Sequence, residues 1–409
     1  MTALAGLRIL DLTQLLAGPY GSMLLADLGA EVIKIEQPGI GDLARVLQEN
    51  DPKFHYKGMS AYFLTLGRNK KSVTLNLGKE KGREVFYDLV RVSDVVFDNF
   101  RPGVVERLGV DYETLKQINP RIISCSNTGY GLTGPGKDRP AYDACVQAFS
   151  GGMSITGEPE GVPMRAGVPY GDLCGGVFST LGILSAVYAR QTTGVGQKID
   201  VSMLDAQISL WNYMATMTLM ANENIPKMGN EHFVHVPYNA YKAGDIYVVL
   251  TIVPDAHYEL FVRALEALNL PQEYQEDVDY LKQASLLKRA GRQAERTRIN
   301  STLTHLFPAK PAAEWVEYLS GKGIPIAPVY TGDQAFNDPH VIARRMIVEV
   351  EHPQGGTFRE PGNPIKLSDT PGDTFSPPPL LGQHTEDILA GLLKYAPEKI
   401  ADLKREGLI

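Results

Sequence analysis

A doubly wound α/β fold with a second, smaller α/β domain is the architecture this sequence predicts. Residues 7–131 alternate short apolar runs with helix-period stretches. The 409 residues, 44% hydrophobic and 21% charged, have the composition of an ordinary globular protein and are long enough for two domains. Beyond residue 225 the pattern changes to charged helices around a strand-like run.

In chain order, "LRILDLT" (7–13) is short and apolar, "GPYGSMLLADLGA" (18–30) has helical periodicity and ends at a glycine, and "EVIKIEQP" (31–38) returns to strand. Together they form a βαβ unit. The rhythm continues through the strand "KSVTLNL", the amphipathic "KEKGREVFYDLVRVS", the strand "DVVFDNF", the helices "PGVVERLG" and "DYETLKQINP", and the strand "RIISCSNTGYG". Ligand groups are expected at the carboxyl ends of such parallel strands. An apolar helix, "GGVFSTLGILSAVYARQTTG" (175–194), leads to the strand "KIDVSM" and a second long helix, "LDAQISLWNYMATMTLMAN" (204–222). A polar loop, "GNEHFVHVPYNAY", the strand "DIYVVLTI" and charged helices such as "ASLLKRAGRQAERTRINSTLTHLF" form the smaller domain. "GIPIAPVYT", the helical "GDQAFNDPHVIARRM" and the proline-rich "DTPGDTFSPPPLLGQHTEDIL" follow; this last stretch has no core of its own and is expected to pack back on the first domain. The boundaries read as a large domain over 1–200, a linker helix over 201–224, a small domain over 225–325 and a C-terminal return over 326–409.

A net charge of −7 argues against a nucleic-acid surface. Cys125, Cys145 and Cys174 show no CxxC spacing, so neither a disulfide framework nor a zinc site is expected. No apolar run reaches the roughly 20 residues of a bilayer span, and "MTALAGLRILDL" lacks a signal-peptide pattern. A cytoplasmic protein without membrane contact is the expectation.

Several chemistries are absent by motif. "LTQLLAGPYG" holds Gly18 and Gly21 but not GxGxxG, "GKDRP" is not a P-loop, and no serine sits in GxSxG. His232 and His235 lack a third ligand for a metal. Basic residues gather at "GRNKKS", Arg68 to Lys71, and at "NFRPGVVERLG", around Arg101 and Arg107. Taken singly, each cluster reads as solvated surface; together at strand ends they suggest an anionic, phosphate-bearing ligand. Asp172, in "GVPYGDLCGG", has three glycines within four residues and no Lys, Arg or His within six. It reads either as the N-cap of the following helix or as an exposed nucleophile beside amides that can cradle an oxyanion.

The ordered segments "LRILDLTQLLAGPYGSMLLADLGAEVIKIEQPGIGD", "LGRNKKSVTLNL", "SDVVFDNFRPGVVERLGVDYETLKQINPRIISCSNTGYGLTGP", "YDACVQAFSGGMSITG", "GDLCGGVFSTLGILSAVYARQTTGVGQKIDVSMLDA" and "PLLGQHTEDIL" resemble the class III coenzyme A transferases, the CaiB/BaiF or formyl-CoA transferase family. The resemblance implies a Rossmann-like large domain, a small domain and an interlocked dimer, homomeric or with a related chain. It implies an acyl-CoA and a small carboxylic acid as substrates, with no cofactor beyond the coenzyme A thioester and no metal. Asp172 falls on the family nucleophile, which carries an aspartyl-CoA thioester. The family's CoA contacts fall on Leu16, Ala17, Gln37, Leu66, Gly67, Arg68, Asn69, Asn99, Phe100, Arg101 and Arg107, and its substrate-side pair on Tyr142 and Asp143.

Two departures bear on the acid. Leu16 stands where oxalate-using members have a glutamine, and "GNEHFVHVPYNAY" replaces a mobile glycine run. The pattern resembles members that use succinyl-CoA and a larger acid, a dicarboxylate. An α-methylacyl-CoA racemase-like isomerase needs a histidine opposite an aspartate, yet no histidine lies between residues 56 and 231. A subunit of a hetero-oligomeric transferase is the other alternative.

Overall fold

The apolar runs become the strands of one parallel sheet. In the computed structural model, which describes residues 2–48 and 50–409, these are β1 (Arg8–Asp11), β2 (Glu31–Glu36), β3 (Lys70–Thr74), β4 (Val95–Asp98), β5 (Ile123–Thr128) and β6 (Lys198–Ser202). They lie in the order β3-β2-β1-β4-β5-β6, every neighbouring pair parallel. The order reverses between β1 and β4, so the turns after these strands flank the crevice where such sheets bind ligands. β4 and β5 are buried along their whole length because helices cover both faces. On one face Leu10, Ile33, Val73 and Val96 meet Phe86 and Leu89 of helix Glu80–Arg91. On the other, Ile9, Val32, Phe97 and Cys125 meet Leu25 of α1 (Ala17–Asp27) and Ile183 of a long helix (Tyr170–Thr193).

That long helix begins earlier than its apolar run suggests and takes Asp172 into its first turn. It is also long and apolar enough to cross a membrane, contrary to the expectation that no segment would be. Ile183 and Ala186 instead bury themselves in the sheet's apolar layer. The second long helix is two: α-helices span Met203–Trp211 and Tyr213–Ala221, broken at Asn212, whose φ is +49°. The apolar methionine-rich pattern runs through the break without marking it.

The chain divides into two compact units. One comprises Met1–Met153, Arg165–Glu223 and Pro339–Ile409, the other Ser154–Met164 and Asn224–Asp338. The boundaries differ from those read in the sequence at two places. Residues 154–164 join the second unit, where Gly157 O accepts from Gly229 N. "GIPIAPVYT" supplies a strand, Ile326–Pro328, that pairs with Ile246–Thr251 and so carries the unit past residue 325. Part of the expected polar loop is also a strand, Tyr238–Ala243, antiparallel to Ile246–Thr251. Asn239 and Lys242 obscured its alternation. Trp315, Phe307 and Tyr241 centre this unit's core, with Trp315 Nε1 donating to Phe307 O at 2.8 Å.

Within the first unit the tail lies along the β3 side. An unforeseen hairpin, Ile347–Glu351 with Thr357–Pro361, brings in Glu360. Asn69 N donates to Ser376 O, and Arg45 Nη1 to Pro379 O at 3.0 Å.

Candidate active site

Buried charge shapes the turn after β1. Lys70 Nζ lies 3.0 Å from Asp11, and Ser22 Oγ donates to the same carboxylate at 2.7 Å. Burial would push the Asp11 carboxyl up, but the Lys70 and Lys34 ammoniums and two hydroxyls hold it at about 2. Lys34 Nζ donates to Thr13 O at 2.6 Å and pairs with Asp42 at 2.7 Å. Asp42 Oδ1 accepts from Leu15 N at 3.0 Å, fixing a leucine at φ +66°. Leucine avoids this left-handed region, so the surroundings impose it. Asn99, just after β4, closes the clamp: its Oδ1 accepts from Gln14 N and its Nδ2 donates to Gln14 O, both at 2.8 Å. The two crevice turns are thereby locked together.

Glycines bring Asp172 to this crevice. A Cβ on Gly21 would lie 2.7 Å from Gly176 O, and one on Gly176 would lie 2.6 Å from Ala17 O. The backbones of α1 and helix Tyr170–Thr193 therefore touch, and a larger residue would force them apart. The N-cap reading of Asp172 is corrected here. The cap position is Pro169, with no side-chain cap. Asp143 Oδ1 instead accepts from Gly171 N at 2.8 Å and Asp172 N at 3.3 Å. Gln147 Nε2 orients Asp143 by donating to Oδ2 at 2.7 Å. With capping done by Asp143, the Asp172 carboxylate has no hydrogen bond or ion pair among the described residues. Burial first, and the negative charge of Asp143 second, push its carboxyl up to about 7. Cys174 is no rival nucleophile: burial pushes its thiol up to about 11, and Sγ donates to Gly171 O at 3.3 Å.

A cavity of about 220 Å³ opens beside Asp172. Leu15, Leu16 and Ala17 line it from the β1 turn, Asn99 to Pro102 from the β4 turn, and Asn127 to Gly129 from β5. Tyr142 and three cations, Arg101, Lys137 and Arg139, complete most of the wall.

Of the residues the family resemblance implied, Leu16, Ala17, Asn99, Phe100, Arg101, Tyr142 and Asp172 meet here. Asn99 is occupied in holding Gln14, and Asp143 sits behind Asp172 as its helix's cap. Gln37 and Arg107 are exposed and do not line the cavity. The structure does not bring Leu66 to Asn69 there either, because they precede β3 and so lie at the amino ends of the strands. Arg68 is fully buried between Asp27 at 2.7 Å and Glu360 at 3.0 Å. Asn69 Nδ2 donates to Asp27 Oδ1 at 2.8 Å, and a Cβ on Gly67 would already touch Phe63 at 2.9 Å. Leu66 lines a separate apolar cavity with Tyr20 and Leu173. Lys70 and Lys71 are likewise paired, with Asp11 and Glu31. The run of cations was visible in the sequence; the acids that neutralise it come from distant segments. Sequence reasoning also passed over Lys137, Arg139 and Asn127. The available signal was position, since all three lie at or just beyond the carboxyl end of β5.

A sheet with a crevice at its switch point and an unpaired carboxylate beside cations narrows the chemistry. The model of CoA-transferase family III matches residues 4–385. The chain belongs to that family. It is 36% identical over 406 residues to human "Succinyl-CoA:glutarate CoA-transferase", covering 99% of this chain and 90% of the relative. It is 39% identical to "Acetyl-CoA:oxalate CoA-transferase" of Acetobacter aceti, over 89% of this chain and 88% of that one. Among solved structures, a CaiB/BaiF family protein from Brucella suis superposes with a TM-score of 0.82 at 33% identity, covering 96% of this chain and 99% of that one. A family III enzyme moves coenzyme A between an acyl-CoA and a carboxylic acid. Among the described residues no histidine, the group the isomerase alternative needs, lines the cavity.

Proposed function

We propose that this CoA transferase takes coenzyme A from succinyl-CoA, passes it through a thioester on Asp172 and delivers it to a dicarboxylic acid. The carrying observation is the Asp172 carboxylate itself, partly buried, without a hydrogen bond and pushed up to about 7. A carboxylate freed from partners and made more basic is the better nucleophile. Asp172 attacks the acyl carbon, and the C–S bond breaks with its electron pair leaving on the thiolate. The thiolate then attacks Asp172 Cγ in the mixed anhydride, releasing the donor acid and leaving the aspartyl-CoA thioester. The acceptor carboxylate repeats these steps in reverse order and regenerates Asp172. Only electron pairs are exchanged, so the scheme requires no metal or redox group.

Arg101, Lys137 and Arg139 support the choice of substrates. Anions are drawn to a wall of three cations, and a dicarboxylate can react at one end while its other end pairs with a cation. The human relative's name, with its succinyl-CoA donor and glutarate acceptor, points the same way. The Acetobacter aceti relative's name points to oxalate, so acceptor length is what an assay must resolve. Purified protein should be offered succinyl-CoA or acetyl-CoA with acids of increasing length, and the CoA products read by mass spectrometry. New thioesters of dicarboxylates from succinyl-CoA support the reading; transfer to monocarboxylates alone contradicts it.

A dimer, homomeric or with a related chain, is part of this proposal. The helices Met203–Trp211 and Tyr213–Ala221 expose Leu219 and Met220 by 81% and 83%, apolar surface that a partner would cover.

A further inference from the structure

β5 turns Ile123, Cys125 and Asn127 toward one face. Ile123 and Cys125 join the apolar layer with Ile183 of the Asp172 helix. Asn127 continues that row as an amide, 2% exposed. Neither its Nδ2 nor its Oδ1 has a hydrogen-bond partner among the described residues. A buried amide left unpaired burdens the folded state, and such a group in a native protein calls for an explanation.

The neighbouring helix makes room for it. A Cβ on Gly175 would lie 3.0 Å from both amide atoms of Asn127. The helix interior thus carries a poor helix former where the amide packs. Gly175 follows Asp172 by three residues, so the two share a helix face one turn apart. Asn127 and Asp172 also line the same cavity. Gln207 offers a contrast: its Nε2 is unpartnered too, but its Oε1 accepts from Ser150 Oγ at 3.0 Å and it does not line the cavity.

We propose that Asn127 is a catalytic residue whose Nδ2 donates a hydrogen bond to the acyl carbonyl oxygen while Asp172 attacks. The proposal rests on the reading of Asp172 as nucleophile. As Asp172 Oδ bonds to the acyl carbon, the carbonyl pair moves onto oxygen; when the C–S bond breaks, the carbonyl reforms and the pair departs on the thiolate. Asn127 keeps its proton throughout. A donor already desolvated and fixed in the wall needs no reorganisation to meet this charge.

The test compares the wild type with Asn127→Ala and Asn127→Val, the second suited to a strand. Each protein is mixed with succinyl-CoA and hydroxylamine, and hydroxamate formation at Asp172 is timed by peptide mass spectrometry. The dissociation constant of free CoA and the thermal midpoint are measured alongside. Both variants should form the hydroxamate about 10²-fold more slowly, with CoA affinity unchanged and a midpoint no lower than wild type, since no hydrogen bond of the free protein is removed. Wild-type rates in the variants overturn the role of Asn127 and leave Asp172 as nucleophile. Slow modification with a matching loss of CoA affinity overturns it as well, placing the amide on the pantetheine arm. A lowered midpoint in both variants makes Asn127 structural. A wild type that turns over without any hydroxamate at Asp172 removes the nucleophile reading, and this proposal with it.

Discussion

Asp172→Asn should abolish transfer and yet stabilise the protein, and the stabilisation should depend on pH. The native carboxyl titrates at about 7, against 3.8 for a free aspartate. Between those values the unfolded chain has lost the proton that the native protein still holds. Wild-type stability therefore falls with rising pH at about 1.4 kcal/mol per unit, then levels off above pH 7. Across that whole range the loss is at most about 4 kcal/mol. That whole difference, about 4 kcal/mol, is lost above pH 7. An asparagine does not titrate and keeps the helix geometry, so the variant escapes the loss. With roughly 2 °C of melting temperature per kcal/mol in a chain of this size, calorimetry should show the variant several degrees above wild type at pH 8. The gap should shrink to less than half at pH 5. A variant less stable than wild type at pH 8, or a gap that ignores pH, would refute the claim that burial and Asp143 raise this carboxyl.

The same titration predicts that kcat/KM for acyl-CoA rises with pH through about 7 and then levels off, because only the ionised Asp172 attacks; Asp143→Asn, which removes the second cause of the raised value, should move that midpoint down. Arg68→Ala should destabilise the protein by about 3–5 kcal/mol in denaturant titrations, because it leaves Asp27 and Glu360 buried without their cation. The KM for acyl-CoA of the folded fraction should hardly change, since Arg68 does not line the Asp172 cavity; a large rise in KM without loss of stability would restore the ligand-binding reading. Sedimentation at nanomolar concentration should show a single species of twice the chain mass, and a folded monomer would contradict the dimer.

The parallel sheet was legible because buried strands such as "DVVFDNF" are continuous apolar runs and the helices between them are amphipathic. The strand Tyr238–Ala243 was hidden because its polar residues break the alternation that backbone pairing with Ile246–Thr251 supplies. Asp172 stood out through its glycines, but its local chemistry fitted a cap equally well. Only the fold shows that Asp143, twenty-nine positions earlier, has taken the capping role. Arg68 is a related case: its charge is visible in sequence, whereas its burial and its partners at 27 and 360 are tertiary facts. For Asn127 the one signal was its place at the carboxyl end of a parallel strand, because the residue type itself reads there as the start of a turn.

The most direct test of the account is to trap the intermediate on Asp172. After incubation with succinyl-CoA, borohydride reduction and peptide mapping should find the reduced side chain on the peptide containing "PYGDLCGG", and Asp172→Asn should show neither modification nor transfer. Transfer by that variant, after deamidation has been excluded, or a modification found on another residue, would contradict the central role given to Asp172.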